Sequence, residues 1–163
     1  MHDFGVSSKE AKKVINSISN NMQKICKETK DTLFVITADH GQIDVTGHIE
    51  LFKDEKLMSM LKIYPFLDGR SPAFLVKAGM HDEFEKYFKS TYDEDFKLFK
   101  TTDLIKQGFF GDFGDKAHLL GDFIASGTYT HKQVCLTPSH NHFAGHHTAL
   151  TEEMEVPLII INN

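Results

Sequence analysis

The stretch of sequence that decides the fold is Leu33-Phe34-Val35-Ile36-Thr37-Ala38-Asp39-His40-Gly41. Its first four residues are apolar and mostly β-branched or aromatic, which predicts a buried strand of a parallel sheet. Asp39 and His40 follow at the carboxyl end of this strand, where open α/β sheets usually place their ligand sites. Because carboxylate oxygen and imidazole nitrogen are both good zinc ligands, the pair predicts a divalent-metal site. The alternative is a solvent-facing turn in which Asp39 is only a cap.

The composition is that of an ordinary globular protein, with 163 residues, 40% hydrophobic residues, 25% charged residues and a net charge of −5. We find no basic stripe and no RNA-binding aromatic motif, which argues against a nucleic-acid polymer as partner. No apolar segment approaches membrane-spanning length, and the amino terminus has no signal-peptide pattern. The widely separated Cys26 and Cys135 favour buried thiols in a reducing cytosol, with a disulfide as the alternative. We therefore expect a cytoplasmic protein that has no membrane partner.

The first part of the chain predicts a helix that begins at Ser7 or Ser8 and continues to about Lys30, because Ser7 and Glu10 have the spacing of a capping box. The apolar residues of this helix share one face, which predicts that it packs on a sheet. They are Val14, Ile18, Met22 and Ile25. A helix followed by a strand is half of a βαβ unit, so α/β is the expected fold class.

The middle of the chain, residues 48–137, is less regular and predicts a mixed α/β insertion. It contains candidate strands at residues 73–77, 119–125 and 133–136 and candidate helices at residues 81–89 and 101–107. The sequence leaves open whether this insertion is a lobe beside the main sheet or an irregular continuation of that sheet. A final apolar strand is expected at residues 156–161.

Three separated motifs carry a family resemblance. They are His2-Asp3-Phe4-Gly5, then Asp39-His40-Gly41, then Gly145-His146-His147 followed by Leu150-Thr151-Glu152-Glu153-Met154 and Val156-Pro157-Leu158-Ile159. In this order they resemble the alkaline phosphatase superfamily, most closely its type I phosphodiesterase/nucleotide pyrophosphatase branch. The resemblance implies a mixed or mostly parallel sheet flanked by helices. It also implies that residues 1–163 form a single domain, the carboxyl-terminal part of a longer enzyme.

The resemblance implies two divalent metals, most readily zinc, with manganese as the alternative. Asp39 and His40 correspond to ligands of the metal that also holds the nucleophile. His2 and one histidine of the His146-His147 pair correspond to ligands of the other metal. Two such ions about 4 Å apart stabilise both the entering and the leaving oxygen of an in-line displacement at phosphorus.

The choice between the two late histidines depends on how the motif is aligned. The Gly-x-His spacing from Gly145 favours His147, whereas counting back from Glu153-Met154 favours His146. We choose His147. Thr148-Ala149 replaces two small residues of the family's motif, which is a departure from the pattern.

The family's nucleophile, a Thr or Ser, and further aspartate ligands would lie upstream of His2. This chain therefore carries no catalytic residue of its own in the resemblance, and we expect it to hold metal weakly and to show little catalysis alone. The expected partners are a small phosphate-ester substrate and the missing amino-terminal part of the same enzyme.

Two other interpretations stay open. One is a non-catalytic binding module of the same fold, which the absent nucleophile favours. The other is a different superfamily member, such as a phosphomutase or sulfatase, because the metal-binding frame is shared while substrate contacts differ. His140 and His142 are expected to belong to a loop or to the surface, with a substrate contact as the alternative. The Asp112-Phe113-Gly114 triplet lacks the other kinase motifs, so we treat it as part of a turn-rich stretch.

Overall fold

The computed structural model of the chain describes residues 3–112, 114–137, 144–145 and 150–162. The α-helices are α1 (Lys9–Glu28), α2 (Glu55–Ser59), α3 (His81–Tyr92), α4 (Thr101–Lys106) and α5 (Thr151–Met154). The strands are β1 (Leu33–Ile36), β2 (Ile43–Asp44), β3 (Gly47–Ile49), β4 (Phe66–Leu67), β5 (Pro72–Phe74), β6 (Phe96–Lys100), β7 (Phe123–Gly127), β8 (Lys132–Val134), β9 (Ala144–Gly145) and β10 (Ile159–Asn162). Short 3₁₀ helices span Leu51–Lys53 and Gly114–Leu120.

Helix α1 begins where the sequence predicts, because Ser8 Oγ accepts a hydrogen bond from the backbone N–H of Ala11 at 3.0 Å. Such a bond satisfies one of the donors that a helix start leaves unpaired. Four large apolar residues of α1, Val14, Ile15, Ile18 and Ile25, are 46–58% exposed in the described part of the chain. Only Ala11 and Cys26 of this helix are buried. The predicted packing of α1 on a sheet is therefore not seen here.

Strand β1 differs from the prediction. It pairs antiparallel with β10, from Leu33 opposite Asn162 to Ile36 opposite Ile159. Neither strand pairs with a third one among the described residues, and Leu33 and Val35 are 60% and 59% exposed. The prediction of a buried strand in a parallel sheet was wrong for this chain. A two-stranded sheet covers neither of its faces, and its two outer edges lack partners.

The hydrophobic core lies in the middle of the chain, which we call the middle lobe (residues 47–137). It contains an antiparallel sheet in the order β4-β5-β7-β6. Phe84 and Phe88 of α3 pack against Phe74 of β5, with ring centroids 5.2 Å apart in both pairs. Large buried aromatic side chains of this kind supply much of the apolar area that a core needs. The helix predicted at residues 81–89 is confirmed and is slightly longer.

Two short strand pairs lie at the border of the middle lobe, one within it (β3 with β8) and one just outside it (β2 with β9). Strands β3 and β8 are parallel, and β2 and β9 are antiparallel. Among the described residues, the β3-β8 sheet is parallel and the other sheets are antiparallel, so the chain combines helices with sheets of both kinds, as expected for the α/β class. The described part of the chain contains no helix that is long and apolar enough to cross a membrane. Cys26 and Cys135 are both buried, and they are not joined by a disulfide.

Candidate metal centre

Asp39 and His40 follow the end of β1, as predicted. The Asp39 side chain is 88% exposed and that of His40 is 25% exposed. Asp39 Oδ1 accepts a hydrogen bond from the backbone N–H of His40 at 3.1 Å, and Asp39 Oδ2 lies 3.7 Å from His40 Nε2. A carboxylate and an imidazole are thus presented together at one strand end, with the carboxylate in solvent.

A main-chain contact selects the tautomer of His40. Its Nδ1 lies 2.6 Å from the Gly41 carbonyl oxygen. A carbonyl oxygen can only accept a hydrogen bond, so Nδ1 carries the proton in this contact. In the neutral ring, Nε2 then has the lone pair. Histidines that bind metals commonly donate their other ring N–H to such a carbonyl group.

The spacing of the two side chains suits a shared ion. In a tetrahedral zinc site with bonds of about 2.1 Å, two ligand atoms lie roughly 3.4 Å apart. The 3.7 Å between Asp39 Oδ2 and His40 Nε2 is close to this value, so small side-chain rotations allow both atoms to contact one ion. The pair therefore fits as part of a divalent-metal site. A group of three or more His, Cys, Asp or Glu side chains is not present among the residues that the structure describes.

Gly41 lies directly against α5. Its backbone N–H donates to the Glu153 carbonyl oxygen at 3.0 Å. A Cβ atom added at position 41 would lie 2.0 Å from the Glu152 carbonyl oxygen and 3.1 Å from that of Glu155. Since such distances are impossible for a side chain, only glycine allows the segment after His40 to approach α5 this closely.

The three motifs identified in the sequence come together on the segment Gln42–Asp44. Ile43 of β2 pairs with Gly145 of β9, which precedes the two late histidines. Asp44 Oδ1 accepts a hydrogen bond from the backbone N–H of Val6 at 2.6 Å, which brings the amino-terminal segment to the same place. His2, His146 and His147 themselves lie outside the described residues, as do His140 and His142. Gly145, which is adjacent to His146, and Val6, four positions after His2, contact the segment that follows His40.

Asp44 is a residue that sequence reasoning missed. It lies on β2, and its carboxylate touches Gly5, where a Cβ atom would lie 2.6 Å from Asp44 Oδ1. Gly5 has a φ of +82°, a conformation that glycine adopts at low cost. The His-x-x-Gly spacing of the first motif contains this glycine, so the motif carried the signal although the partner of Gly5 was not evident.

The sequence analysis also did not identify Arg70 as a buried, paired residue. Its guanidinium is fully buried and forms an ion pair with Glu153, which is fully buried as well. Buried charges of this kind are rare and normally paired. Arg70 occurs in the turn-rich sequence Asp68-Gly69-Arg70-Ser71-Pro72, which indicates only a loop, so nothing in the sequence predicted its burial.

The Asp122 carboxylate has a local structural role. Its Oδ2 accepts a hydrogen bond from the backbone N–H of Val76 at 2.8 Å and lies 3.5 Å from His81 Nε2. Asp112 accepts from the Gly114 N–H at 3.3 Å, as aspartates in turns often do. Both aspartates therefore contact the chain in their own part of the middle lobe.

No protein-family model matches the sequence, and no curated protein matches it either. Several solved structures do. Murine ectonucleotide pyrophosphatase/phosphodiesterase 5 matches with a TM-score of 0.66 and 18% identity, over 99% of this chain and 44% of that chain. An inactive variant of the same murine protein, in complex with AMP, matches with a TM-score of 0.63 and 18% identity, over 99% of this chain and 43% of that one.

A bacterial enzyme has a similar structure. Phosphonoacetate hydrolase from Sinorhizobium meliloti 1021, in complex with phosphonoformate, matches with a TM-score of 0.70 and 14% identity. The match covers 98% of this chain and 42% of that chain. At such identities the comparison shows the fold: this chain has the alkaline-phosphatase-like α/β fold of these hydrolases, and the predicted resemblance is confirmed at that level. The chain spans less than half the length of the structures that it matches.

Proposed function

We propose that the chain is the carboxyl-terminal part of a two-metal hydrolase of phosphate esters, of the phosphodiesterase/nucleotide pyrophosphatase type. The observation that supports this most is the convergence of all three motifs on Gln42–Asp44, next to Asp39 and His40. Residues that are far apart in sequence meet at one place, in a fold that known phosphate-ester hydrolases share. Motifs that occur by chance have no physical reason to meet in the fold.

In this proposal Asp39 and His40 hold one divalent ion, and His2 and His147 hold the other, with His146 as the alternative to His147. Zinc is the preferred metal because the donors are imidazoles and carboxylates, and manganese is the alternative. When bound, the ions would supply charge stabilisation at the phosphoryl oxygens and an activated oxygen nucleophile. The Gly41 carbonyl keeps His40 in the tautomer that presents Nε2.

The nucleophile, a Thr or Ser, and the remaining ligands belong to the other part of the proposed enzyme. Two features support such a part. The chain covers only 44% of the murine relative's length, and apolar residues of α1, β1 and β10 lie exposed on the chain described here. These exposed residues are Val14, Ile15, Ile18, Ile25, Leu33, Val35, Ile159 and Ile160. They suit a surface that the rest of the fold covers.

The experiment uses the full-length protein that contains this chain. We expect it to hydrolyse bis(p-nitrophenyl) phosphate, to lose activity with a chelator, and to regain it with Zn²⁺ or Mn²⁺. Asp39→Asn and His40→Ala should each lower kcat/KM by about 100-fold or more, since each removes a metal ligand. Asp115→Asn and His118→Ala, which change exposed residues of the 3₁₀ helix Gly114–Leu120, are the matched controls and should leave activity unchanged. Full activity in both Asp39→Asn and His40→Ala would refute the assignment.

A second candidate function is hydrolysis of a phosphonate. The phosphonoacetate hydrolase has the higher TM-score, 0.70 against 0.66 for the murine phosphodiesterase. Because the two reactions differ in the bond cleaved, parallel assays with phosphonoacetate and with the diester distinguish them. Hydrolysis of a sulfate ester would instead indicate a sulfatase. Isomerisation of a sugar phosphate would indicate a phosphomutase. Binding without turnover of any of these compounds would support the binding-module interpretation.

The cytoplasmic location remains a prediction. It is supported by the two buried cysteines. Burial raises the pKa of the Cys135 thiol above its ordinary value, with a further contribution from Glu50, so this thiol stays protonated and poorly reactive at neutral pH. Fractionation of cells that express the full-length protein tests the location.

A further inference from the structure

The ion pair of Arg70 and Glu153 joins two distant parts of the chain. Arg70 Nε lies 3.2 Å from Glu153 Oε1, and Arg70 Nη2 lies 2.9 Å from Glu153 Oε2. Both side chains are fully buried. A bidentate contact of this kind fixes direction as well as distance, because both groups are planar. The pair therefore holds α5 in a defined position on the middle lobe.

Arg70 is itself anchored in the middle lobe by main-chain contacts. Nη1 donates to the Lys132 carbonyl oxygen at 2.6 Å, and Nη2 donates to that of Thr128 at 3.2 Å. Gly127 makes room for the guanidinium, since a Cβ atom there would lie 2.3 Å from Arg70 Nη1. The guanidinium is thus enclosed by the turn after β7 and by β8, and has little freedom to move.

Glu153 connects this anchor to the metal-binding segment through its own main chain. Its side chain contacts Arg70, while its carbonyl oxygen accepts the hydrogen bond from Gly41 N–H at 3.0 Å. Gly41 in turn supplies the carbonyl group that fixes the His40 ring. Arg70 and His40 are therefore linked through two residues, Glu153 and Gly41.

We infer that Arg70 and Glu153 are positioning residues, which set the placement of the Asp39-His40 pair through α5 and Gly41. The consequence for metal binding rests on the proposed function, but the structural coupling does not. Outer contacts of metal ligands have measurable effects on affinity, because they fix the orientation of the ligand before the ion binds. In this proposal both residues act on the Asp39-His40 pair through the backbone of Glu153 and Gly41.

The first test measures amide hydrogen exchange in the 163-residue chain, with no metal present. Glu153→Gln preserves the size of the side chain but removes its charge, and Arg70→Lys keeps the charge but cannot form the bidentate contact. We expect exchange at Gly41 to become about tenfold faster in each variant, as for the loss of one net hydrogen bond. Amides of β7 should change by less than about threefold, because that strand is held by its own ladder.

The matched control is Glu152→Gln, which removes the same charge from an exposed neighbour on α5. It should leave exchange at Gly41 unchanged. If Gly41 exchanges at the parent rate in both Glu153→Gln and Arg70→Lys, the inference is wrong. It is equally wrong if β7 and Gly41 accelerate together, since that result indicates general destabilisation of the lobe.

The second test measures the affinity of the full-length protein for Zn²⁺. Glu153→Gln and Arg70→Lys should raise Kd by about 10-fold or more, within the range known for outer contacts of metal ligands, and Glu152→Gln should not change it. Unchanged Kd in both variants overturns the link to metal binding. If Asp39→Asn and His40→Ala also leave Kd unchanged, the proposed function fails instead, while the exchange result still decides the structural coupling.

Discussion

At the scale of single residues, position 41 allows only glycine. The Glu152 carbonyl oxygen lies 2.0 Å from the place of a Cβ atom, and a backbone atom cannot move aside as a flexible side chain can. The constraint comes from packing alone, because the φ angle of Gly41 is not among the positive values of the chain. A residue next to the proposed ligands is therefore fixed by close contact with a helix more than one hundred positions later.

We expect Gly41→Ala to separate the Asp39-His40 segment from α5. The added methyl group forces the backbone apart, which should cost about 2 kcal/mol of the free energy of unfolding. It should also abolish most of the diesterase activity that we propose for the full-length protein. Gly47→Ala is the matched control, because the nearest atom to its Cβ is Lys132 Cγ at 3.9 Å. Urea unfolding of both variants measures the difference, and equal stability would contradict the proposed clash.

The sequence was informative about Asp39 and His40 but not about the groups that hold them. Two adjacent ligand-type residues after an apolar run are a local signal, and local signals can be read from sequence. Glu153 is the partner of both Gly41 and Arg70. It lies 112 positions after Gly41 and 83 positions after Arg70. Contacts between such distant residues depend on the whole fold, so the sequence alone did not predict them.

At the scale of elements, the start of α2 is bonded to α3 through one carboxylate. Asp54 Oδ1 accepts the backbone N–H of Leu57 at 2.9 Å and caps α2. Asp54 Oδ2 also accepts the hydroxyl groups of Tyr87 at 3.0 Å and Tyr92 at 2.6 Å. One side chain thus serves as a helix cap and as the connection between two helices of the middle lobe.

Burial and the Asp54 carboxylate both raise the pKa of Tyr92 above its ordinary value of 10.0. Because the folded-state pKa is raised, the protonated phenol stabilises the fold fully below pH 10, and this contribution is lost as the pH rises through the folded-state pKa. We expect Tyr92→Phe to lower the free energy of unfolding by about 1 kcal/mol at neutral pH. The difference from the parent chain should shrink above about pH 10.

Denaturant unfolding at pH 7, 9 and 11 measures this effect. Tyr64→Phe is the control, since Tyr64 is 55% exposed and its hydroxyl should contribute little. A difference between Tyr92→Phe and the parent chain that stays constant from pH 7 to pH 11 would argue against the bond to Asp54.

Helices, whose backbone hydrogen bonds are internal, were predicted better than strands, which need a partner strand. Helix α1 has a capping serine and a periodic apolar face within its own sequence, and α3 has Phe84 and Phe88 one turn apart, and both helices occur where expected. Strand β1 was assigned to a buried parallel sheet because its residues are apolar. Apolar residues indicate that a strand belongs in a covered place, but the cover comes from other elements, and in the described chain only β10 pairs with it. The strand predicted at residues 119–125 begins later, at Phe123, because a 3₁₀ helix occupies Gly114–Leu120.

At the scale of the whole molecule, the middle lobe differs from the part of the chain formed by α1, β1 and β10. The middle lobe has a continuous core of buried aromatic and aliphatic residues. In contrast, α1 and the β1-β10 pair expose apolar side chains, with Ile18 at 57% and Ile160 at 61%. An exposed apolar surface next to two open strand edges favours association with another polypeptide.

We therefore expect the isolated 163-residue chain to self-associate in solution through α1, β1 and β10. The double variant Ile18→Gln/Ile25→Gln should weaken this association, because it replaces two large apolar side chains of the exposed face with polar ones. Sedimentation velocity over a range of concentrations measures the change. Ser17→Gln/Asn20→Gln, at exposed polar positions of the same helix, is the matched control and should behave like the parent chain.

In the full-length protein that we propose, the same double variant should instead lower stability. If the rest of the fold covers α1, burying Ile18 and Ile25 stabilises that protein by about 1.5–3 kcal/mol per side chain, and the variant should lose this contribution. The thermal unfolding temperature of the full-length variant should then fall, whereas in the isolated chain the middle lobe should unfold at the same temperature with or without the substitutions. An unchanged unfolding temperature in the full-length variant would mean that this face stays in solvent, and the covering part proposed for the enzyme would have to pack elsewhere.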